Sequence, residues 1–504
     1  MKWIIAGLYA ITCVVTSLRY LVCAQKNNYV FVFGKKTFLY WLVIAALSLP
    51  TVVLAVFDDG GYLYETAKIV WSCLVAAVAY VYTVSFKTKL KFTERATKNY
   101  VVCVAFSVLF STIPTAFLSE KTSICYSSCT PLVSPLFTLF STILTKEYFE
   151  RKNREFVKKQ AERLADANVI KIGITGSFGK TSCKRILTEM LSEKYKVIST
   201  ESNFNTPMGI ALTVEKTKGD EEVFIAEMGA RKKGDIKCLC ETFKPDIGII
   251  TGVCAQHMET FVSLHEIYTE KNELSKYTSV CAFNCNDKYA LKMYKERKGI
   301  KLRSCIGKTG DAYADNVSIS FWNTKFDLHI NGKVYATETK LLGRHNLQNI
   351  VLCATIASYL GVDGDNISAV IKNLAPTPHR LEYLYANGIH ILDDGYNSNE
   401  AGIRYATEVI DSFDGRKVAV SQGIAEGGRE KKRLNFSVGK RLSEHVDVMI
   451  LCGSNRRLIK KGIDKKYAGE TYVYSTLAAA QKHFDKILRK GDLLFLQNDL
   501  PDIL

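Results

Sequence analysis

The apolar positions of this chain follow two different rhythms. Up to Thr145 they form long runs with few charges: Trp3–Ala24, Phe38–Phe57, Ile69–Phe86, Tyr100–Leu118 and Ile124–Thr145. Each run approaches the ~20 residues that a helix needs to cross a ~30 Å hydrocarbon layer. Pro131 and Pro135 interrupt the last run and leave the count at four or five spans. Arg19 closes the first run, where its long stem can carry the charge toward an interface. A cleaved leader does not fit, because further apolar runs follow at once.

From Val169 onward short apolar strands alternate with helical patterns. Val169–Ile174, Val197–Ser199, Val223–Met228 and Ile247–Thr251 read as strands, and Lys184–Glu193 and Asp235–Thr242 as helices. That order predicts a mostly parallel sheet that binds its ligands at the strand ends. Val317–Phe321 then alternates, and Phe326–Ile330 with Lys333–Ala336 around Asn331-Gly332 predicts a β-hairpin. A helix follows over Asn346–Leu360. A second α/β rhythm uses Ile389–Asp393, Lys417–Ser421, Val448–Leu451 and Leu493–Leu496 as strands. The predicted organisation is a transmembrane region over 1–145, a charged juxtamembrane linker helix over 146–168, a central α/β domain over 169–377 and a Rossmann-like C-terminal α/β domain over 378–504. The linker helix shows no strong apolar stripe and reads as solvated.

Charge adds a direction to this layout. Basic loops (Lys26, Lys35, Lys36; then Lys87, Lys89, Lys91, Arg95, Lys98; then Lys146, Arg151, Lys152, Arg154) alternate with poor ones (Asp58, Asp59, Glu65; then Lys121). With five spans this places the N-terminus outside and the α/β part in the cytoplasm. The net charge of +17 is therefore read mainly as topology and phosphate handling. No arginine-rich arm, zinc spacing or RNA-binding aromatic signature points to a nucleic acid. The 15 cysteines are scattered, and neither Cys238-x-Cys240 nor Cys125-x₃-Cys129 has a partner pair at metal-site spacing.

The densest chemistry lies at Thr175-Gly176-Ser177-Phe178-Gly179-Lys180-Thr181-Ser182, between a strand and a helix. Glycines let backbone N–H groups turn toward an anion, Lys180 neutralises its charge, and the Thr181 hydroxyl suits Mg²⁺. Ile174 stands where the common phosphate-loop pattern has its first glycine. Thr-Gly-Ser-x-Gly-Lys-Thr-Ser instead resembles the Mur ligase family, which builds peptidoglycan stem peptides. Five further segments resemble that family in order: Thr200–Gly209, Glu227-Met228-Gly229-Ala230, His257-Met258-Glu259, Glu270-Lys271-Asn272-Glu273 and Gly343-Arg344-His345-Asn346 with Asn349. Arg380-Leu381-Glu382 and Asp393–Asn399 are most similar to the branch that adds D-alanyl-D-alanine.

The resemblance implies a Mur-type central domain and an ADP-forming, ATP-dependent ligase. A carboxylate would be activated as an acyl phosphate and attacked by the amine of an amino acid or a D-Ala-D-Ala-like dipeptide. It implies Lys180, Glu227, His257 and Lys271 as catalytic residues. Thr181, Glu227, His257 and carbamylated Lys271 would hold Mg²⁺. Thr175, Gly176, Ser177, Gly179, Lys180, Thr181 and Ser182 would cradle the phosphates, His345, Asn346 and Asn349 would lie near adenine or ribose, and Arg380 with Asp394 would reach the nucleotide from the C-terminal domain. By residue type alone, His257 is a hydrogen-bonded loop histidine and Lys271 a solvated helix lysine.

The chain also departs from the family pattern. Gly252 stands where asparagine is frequent, Glu400 replaces a proline, and a membrane segment takes the place of the domain that grips the uridine nucleotide. The acid substrate is accordingly a cell-wall precursor that is either UDP-linked or lipid-linked. The expected setting is the lipid bilayer of the cytoplasmic membrane, with no nucleic-acid partner. A poly-γ-glutamate synthetase-like ligase and a nucleotide-controlled membrane scaffold are the alternatives.

Overall fold

The computed structural model describes residues 1–504 except 28, 31–33, 58–60, 85–89, 255–259, 397–398, 426 and 498–504. The chain forms two compact units, residues 1–155 and 156–504.

The first unit is helical. Helices α1 (Lys2–Lys26), α2 (Lys35–Val56), α3 (Tyr62–Val84), α4 (Glu94–Phe117) and α5 (Glu120–Asp166) are all long and apolar enough to cross a membrane. All five begin ahead of the apolar runs, because flanking residues, charged ones among them, complete their first turns. The predicted limit at Phe86 falls outside the described residues. α5 does not break at its two prolines. A helical proline removes the donor for the carbonyl four residues earlier. Here the hydroxyl just before each proline takes over: Thr130 Oγ1 donates to Ser127 O at 2.7 Å and Ser134 Oγ to Pro131 O at 2.7 Å. Pro114 in α4 is served from another helix, since Tyr126 Oη donates to Phe110 O at 3.0 Å. Buried hydroxyls also join helices, as in Tyr9–Thr51 at 2.7 Å and Thr16–Ser134 at 3.2 Å. Such bonds suit helix packing where no water competes.

The second unit contains two sheets. In the first, strands β1 (Ile170–Thr175), β2 (Val197–Ser199), β3 (Val223–Glu227), β4 (Ile247–Ile250), β5 (Val280–Asn284), β6 (Ile300–Ile306), β7 (Ala312–Ile319), β8 (Thr324–Ile330) and β9 (Lys333–Thr339) lie in the order β2-β3-β1-β4-β5-β6-β7-β8-β9. Pairing is parallel from β2 to β7 and antiparallel through β8 and β9. The predicted hairpin therefore extends the main sheet.

Helices α6 (Lys180–Leu191), α7 (Pro207–Glu215), α8 (Asp235–Phe243), α9 (Leu264–Tyr277), α10 (Lys288–Glu296), α11 (Arg344–Tyr359) and α12 (Gly364–Asn373) cover it. Alternate residues of β1 explain the two layers. Ile172 and Ile174 join a core with α6 and α11, whereas Gly173 faces Met228 and Leu274 on the other side. The core on that side takes Phe224, Phe283 and Ile267. It also takes Phe156, Val157, Ala161 and Leu164 from the end of α5. The predicted solvated linker helix thus has an apolar stripe after all, confined to its last three turns.

The second sheet comprises β10 (Glu382–Ala386), β11 (Ile389–Asp394), β12 (Lys417–Ser421), β13 (Val448–Leu451), β14 (Glu470–Val473) and β15 (Leu493–Gln497), in the order β10-β11-β15-β12-β13-β14. It is parallel except for β10. Helices α13 (Glu400–Asp411), α14 (Lys431–His445) and α15 (Arg456–Gly462) pack on the face that also receives Phe321, Leu342 and Leu381.

Candidate active site

β1 ends at Thr175, and the chain turns through Gly176 and Gly179 into α6, whose first residue is Lys180. Both glycines have positive φ, 152° and 75°. A side chain at Gly176 would lie 1.9 Å from Thr251 Oγ1, and one at Gly179 would lie 2.6 Å from Asn349 Oδ1. The loop is held from below. Ser177 N donates to Gly252 O at 2.9 Å, and Thr251 Oγ1 donates to the carbonyls of Thr175 and Phe178. Gly179 caps α6 without a side chain, so the N–H groups of the first turn stay directed at the loop. This is a preformed cradle for an anion.

The strand ends bring in the rest. Glu227, the last residue of β3, is buried. It accepts from Thr181 Oγ1 at 2.9 Å and from Asn205 Nδ2 at 3.3 Å, and lies 3.6 Å from Lys184 Nζ. Lys184 Nζ also donates to Ser202 O at 2.6 Å and so ties α6 to the 200–206 loop. Lys180 Nζ bonds Gly176 O at 2.8 Å, and burial lowers its pKa, opposed by Glu227 and reinforced by Arg380.

Lys271 is not the solvated lysine that residue type suggests; it is 4% exposed. Its neighbour Glu270 explains the orientation. That carboxylate accepts from Gly234 N at 2.7 Å and Ile236 N at 2.6 Å, fastening α9 to the start of α8 and turning Lys271 inward. Burial, and secondarily the charge of Lys180, push the Lys271 amine down to about 7.

The segment between the sheets supplies Arg380. His379 and Leu381 on either side of it both have positive φ, 59° and 52°. His379 Nδ1 is 2.8 Å from Asp393 Oδ2. Arg380 lies over the Tyr396 ring at 4.1 Å, and burial lowers its pKa against the pull of Asp394. Burial raises Asp394 to about 6, with Arg380 opposing. His345 stacks on Tyr405 at 5.6 Å and is pushed down to about 4 by burial and then by Arg380.

Several expected residues hold structure. Thr175 Oγ1 donates to Met228 O at 3.0 Å, Asn346 Nδ2 to Leu342 O at 2.9 Å, and Asn349 Oδ1 accepts from Cys183 Sγ at 3.3 Å beneath the loop. Asn346 and Asn349 are both buried, Asn346 tied to the residue that leads into α11 and Asn349 set against the phosphate loop. Ser182 is buried in the first turn of α6. His257 lies outside the described residues. Asn205 and Glu270 lie inside the family-like segments without a role of their own from the sequence, and Lys184, one turn after Lys180, lies outside them.

Lys180, Lys184 and Arg380 thus gather about the buried Glu227 at a glycine cradle, with Asp394 beside Arg380 as a second carboxylate. The excess of positive charge fits a polyphosphate. The oxygen donors Thr181 and Glu227 fit Mg²⁺, which keeps water and substrate phosphates among its ligands. Residues 174–357 match the model of the Mur ligase middle domain, and residues 379–497 that of the Mur ligase glutamate ligase domain. The chain belongs to the Mur ligase family.

Among Mur ligase relatives, the UDP-N-acetylmuramoyl-tripeptide–D-alanyl-D-alanine ligase of Borreliella burgdorferi is 34% identical over 45% of this chain and 50% of its own length. Its Escherichia coli counterpart is 26% identical over 64% of this chain and 73% of its own. The chain spans only about half the length of the Borreliella relative. Among solved structures, MurF from Thermotoga maritima in complex with ADP has a TM-score of 0.62 at 24% identity, covering 69% of this chain and 80% of that one. MurF from Acinetobacter baumannii has a TM-score of 0.62 at 22% identity, covering 68% and 76%. These structures share the Mur ligase fold.

Proposed function

We propose that this chain is a membrane-held, ATP-dependent amide ligase of the Mur type, acting in peptidoglycan stem-peptide synthesis. The observation that carries the reading is the convergence of Lys180, Thr181, Glu227, buried Lys271 and Arg380 on one glycine cradle. Lys180 and the first-turn N–H groups of α6 hold and neutralise the β- and γ-phosphates of ATP. Thr181 and Glu227, with His257 and Lys271, would hold Mg²⁺, which supplies charge neutralisation on the transferring phosphoryl group. Arg380 approaches from the second sheet, and Asp394 orients it.

A carboxylate oxygen of the acid substrate attacks the γ-phosphorus and ADP leaves. The amine of the second substrate then attacks the acyl carbon, and phosphate departs with formation of the amide. Lys271 lies in a dry site at a pKa near neutrality, which leaves its amine able to take up CO₂ and become an anionic carbamate. Following the relatives, the acid is UDP-N-acetylmuramoyl-tripeptide and the amine D-alanyl-D-alanine.

In this reading helices α1 to α5 cross the cytoplasmic membrane, with the N-terminus outside and the α/β unit in the cytoplasm. The deciding experiment offers the full chain ATP, Mg²⁺ and D-alanyl-D-alanine with UDP-linked tripeptide, its lipid-linked counterpart, or a glutamate polymer. Phosphate release that needs both acid and amine, with an amide product, is the expected result. Hydrolysis without amide formation in every arm would reject the ligase reading.

A further inference from the structure

The positive charge of this chain is unevenly placed. Residues 1–155 hold 16 Lys and Arg against 8 Asp and Glu. Residues 429–466 alone hold 12 against 4. The two segments account for nearly all of the net +17, so the rest of the α/β unit is close to neutral. The surplus near the apolar helices has its explanation in loop charge. The surplus on α14 and α15 lies in the other unit and needs its own.

The structure gathers that second surplus onto one face. α14 and α15 meet backbone to backbone: a side chain at Gly439 would lie 2.0 Å from Ile459 O, and one at Gly462 would lie 2.0 Å from Phe436 O. Only glycine permits such an approach. Lys440 and Lys461, the chain neighbours of these glycines, therefore come to the same crossing. Lys432, Phe436 and Lys440 repeat every four residues and share one side of α14. The exposed cations continue along Lys460, Lys465 and Lys466. Among the described residues, none of Lys432, Lys440, Lys460, Lys461, Lys465 and Lys466 lies within ion-pair distance of a carboxylate. Arg433, by contrast, is engaged by Glu430 and Glu400. Phe436 stands 50% exposed among these cations.

We infer that this α14–α15 face is a docking surface for an anionic lipid surface. The inference rests on the membrane reading above: five membrane-length helices in the same chain keep the α/β unit within reach of a bilayer. Unpaired lysines on two crossed helices match a sheet of negative headgroups, each adding attraction that salt screens. An exposed phenylalanine among them suits insertion at the headgroup–acyl boundary. A face meant only for solubility has no use for an aromatic ring at its centre.

The test uses the full chain in nanodiscs of phosphatidylcholine, with or without phosphatidylglycerol, and lysine acylation read by mass spectrometry. Lys432, Lys440, Lys460 and Lys461 should be acylated at least ~3-fold more slowly with phosphatidylglycerol present, an effect removed by high salt. Lys333 and Lys340, far along the chain on the first sheet's edge, serve as controls and should not change. The K440E/K461E variant should lose the protection at Lys432 and Lys460. Equal acylation in both disc types, or equal protection in the variant, would overturn the surface. Protection by a soluble polyanion such as RNA in phosphatidylcholine discs, without protection by phosphatidylglycerol, would overturn it in favour of that partner. Alkaline carbonate extraction separates the two readings. A chain that stays with the bilayer but shows no lipid-dependent acylation sinks only the surface, whereas a chain that washes out sinks both.

Discussion

Replacing Lys184 by methionine tests whether Glu227 is built to hold a cation. The pair is 3.6 Å apart, and the two side chains are 7% and 3% exposed. Methionine keeps the unbranched stem and its packing while removing the charge. Taking one partner from a buried ion pair costs ~3–5 kcal/mol, because the other charge is left uncompensated. Glu227 retains the Thr181 hydroxyl and the Asn205 amide as donors, at net ~1 kcal/mol each, which lowers the loss to about 1–3 kcal/mol. The Ser202 carbonyl that Lys184 leaves is exposed and turns to water at little cost. At roughly 2–4 °C per kcal/mol, the α/β unit should unfold roughly 2–12 °C earlier.

Thermal unfolding of the full chain in detergent, followed by tryptophan fluorescence, measures this. Mg²⁺ should raise the variant's transition by more than the wild type's, because the ion takes the place of the missing ammonium beside Glu227. A variant that unfolds at the wild-type temperature, or that gains no more from Mg²⁺ than wild type, would refute the reasoning.

Three further outcomes follow from the same geometry. Gly176→Ala forces a side chain to within 1.9 Å of Thr251 Oγ1 at a φ of 152°, and strain of ~1–3 kcal/mol should weaken a fluorescent ADP analogue at least ~5-fold; an unchanged Kd would show that the cradle does not bind the phosphates. Lys271 at about 7 is half neutral near pH 7, so wild-type turnover should fall in CO₂-depleted buffer and recover with bicarbonate. Lys271→Ala should be inactive and indifferent to bicarbonate, and full activity would remove the carbamate from the mechanism. Asp394 titrates at about 6, raised by burial, so its charge opposite Arg380 is present above that pH and lost below it. kcat/KM should therefore drop as pH falls through about 6, and Asp394→Asn should be uniformly slow without that limb; an unaltered profile would count against the pairing.

Strong periodicity made much of the fold legible. The five apolar runs became five helices, and β2, β12 and β13 fall where their apolar blocks end. β5 and β6 were not, because Val280–Asn284 is a short block without alternation and the alternation of Ile300–Arg303 lasts only four residues before Ser304 and Cys305. The end of α5 was misread for a related reason: its apolar stripe is short and set among lysines and glutamates. In the site, the residues with a strong chemical signature, Lys180, Thr181 and Glu227, do converge. Lys271 depended on burial, and burial came from Glu270 clamping α8, a tertiary contact that no local pattern announces. Asn346 and Asn349 were legible as a motif, but their bonds to Leu342 O and Cys183 Sγ are tertiary detail that the motif does not announce.

Arg380 carries one more consequence. It reaches Lys180 and His345 from the second sheet, and it makes each of them harder to protonate. An empty cradle therefore resists its own arginine, since like charges are being gathered in a dry space. A polyphosphate reverses that sign and turns the same cations into adhesive. The joint at His379–Leu381 thus holds one cation against two other basic groups, and the same repulsion becomes attraction wherever a triphosphate lies between them.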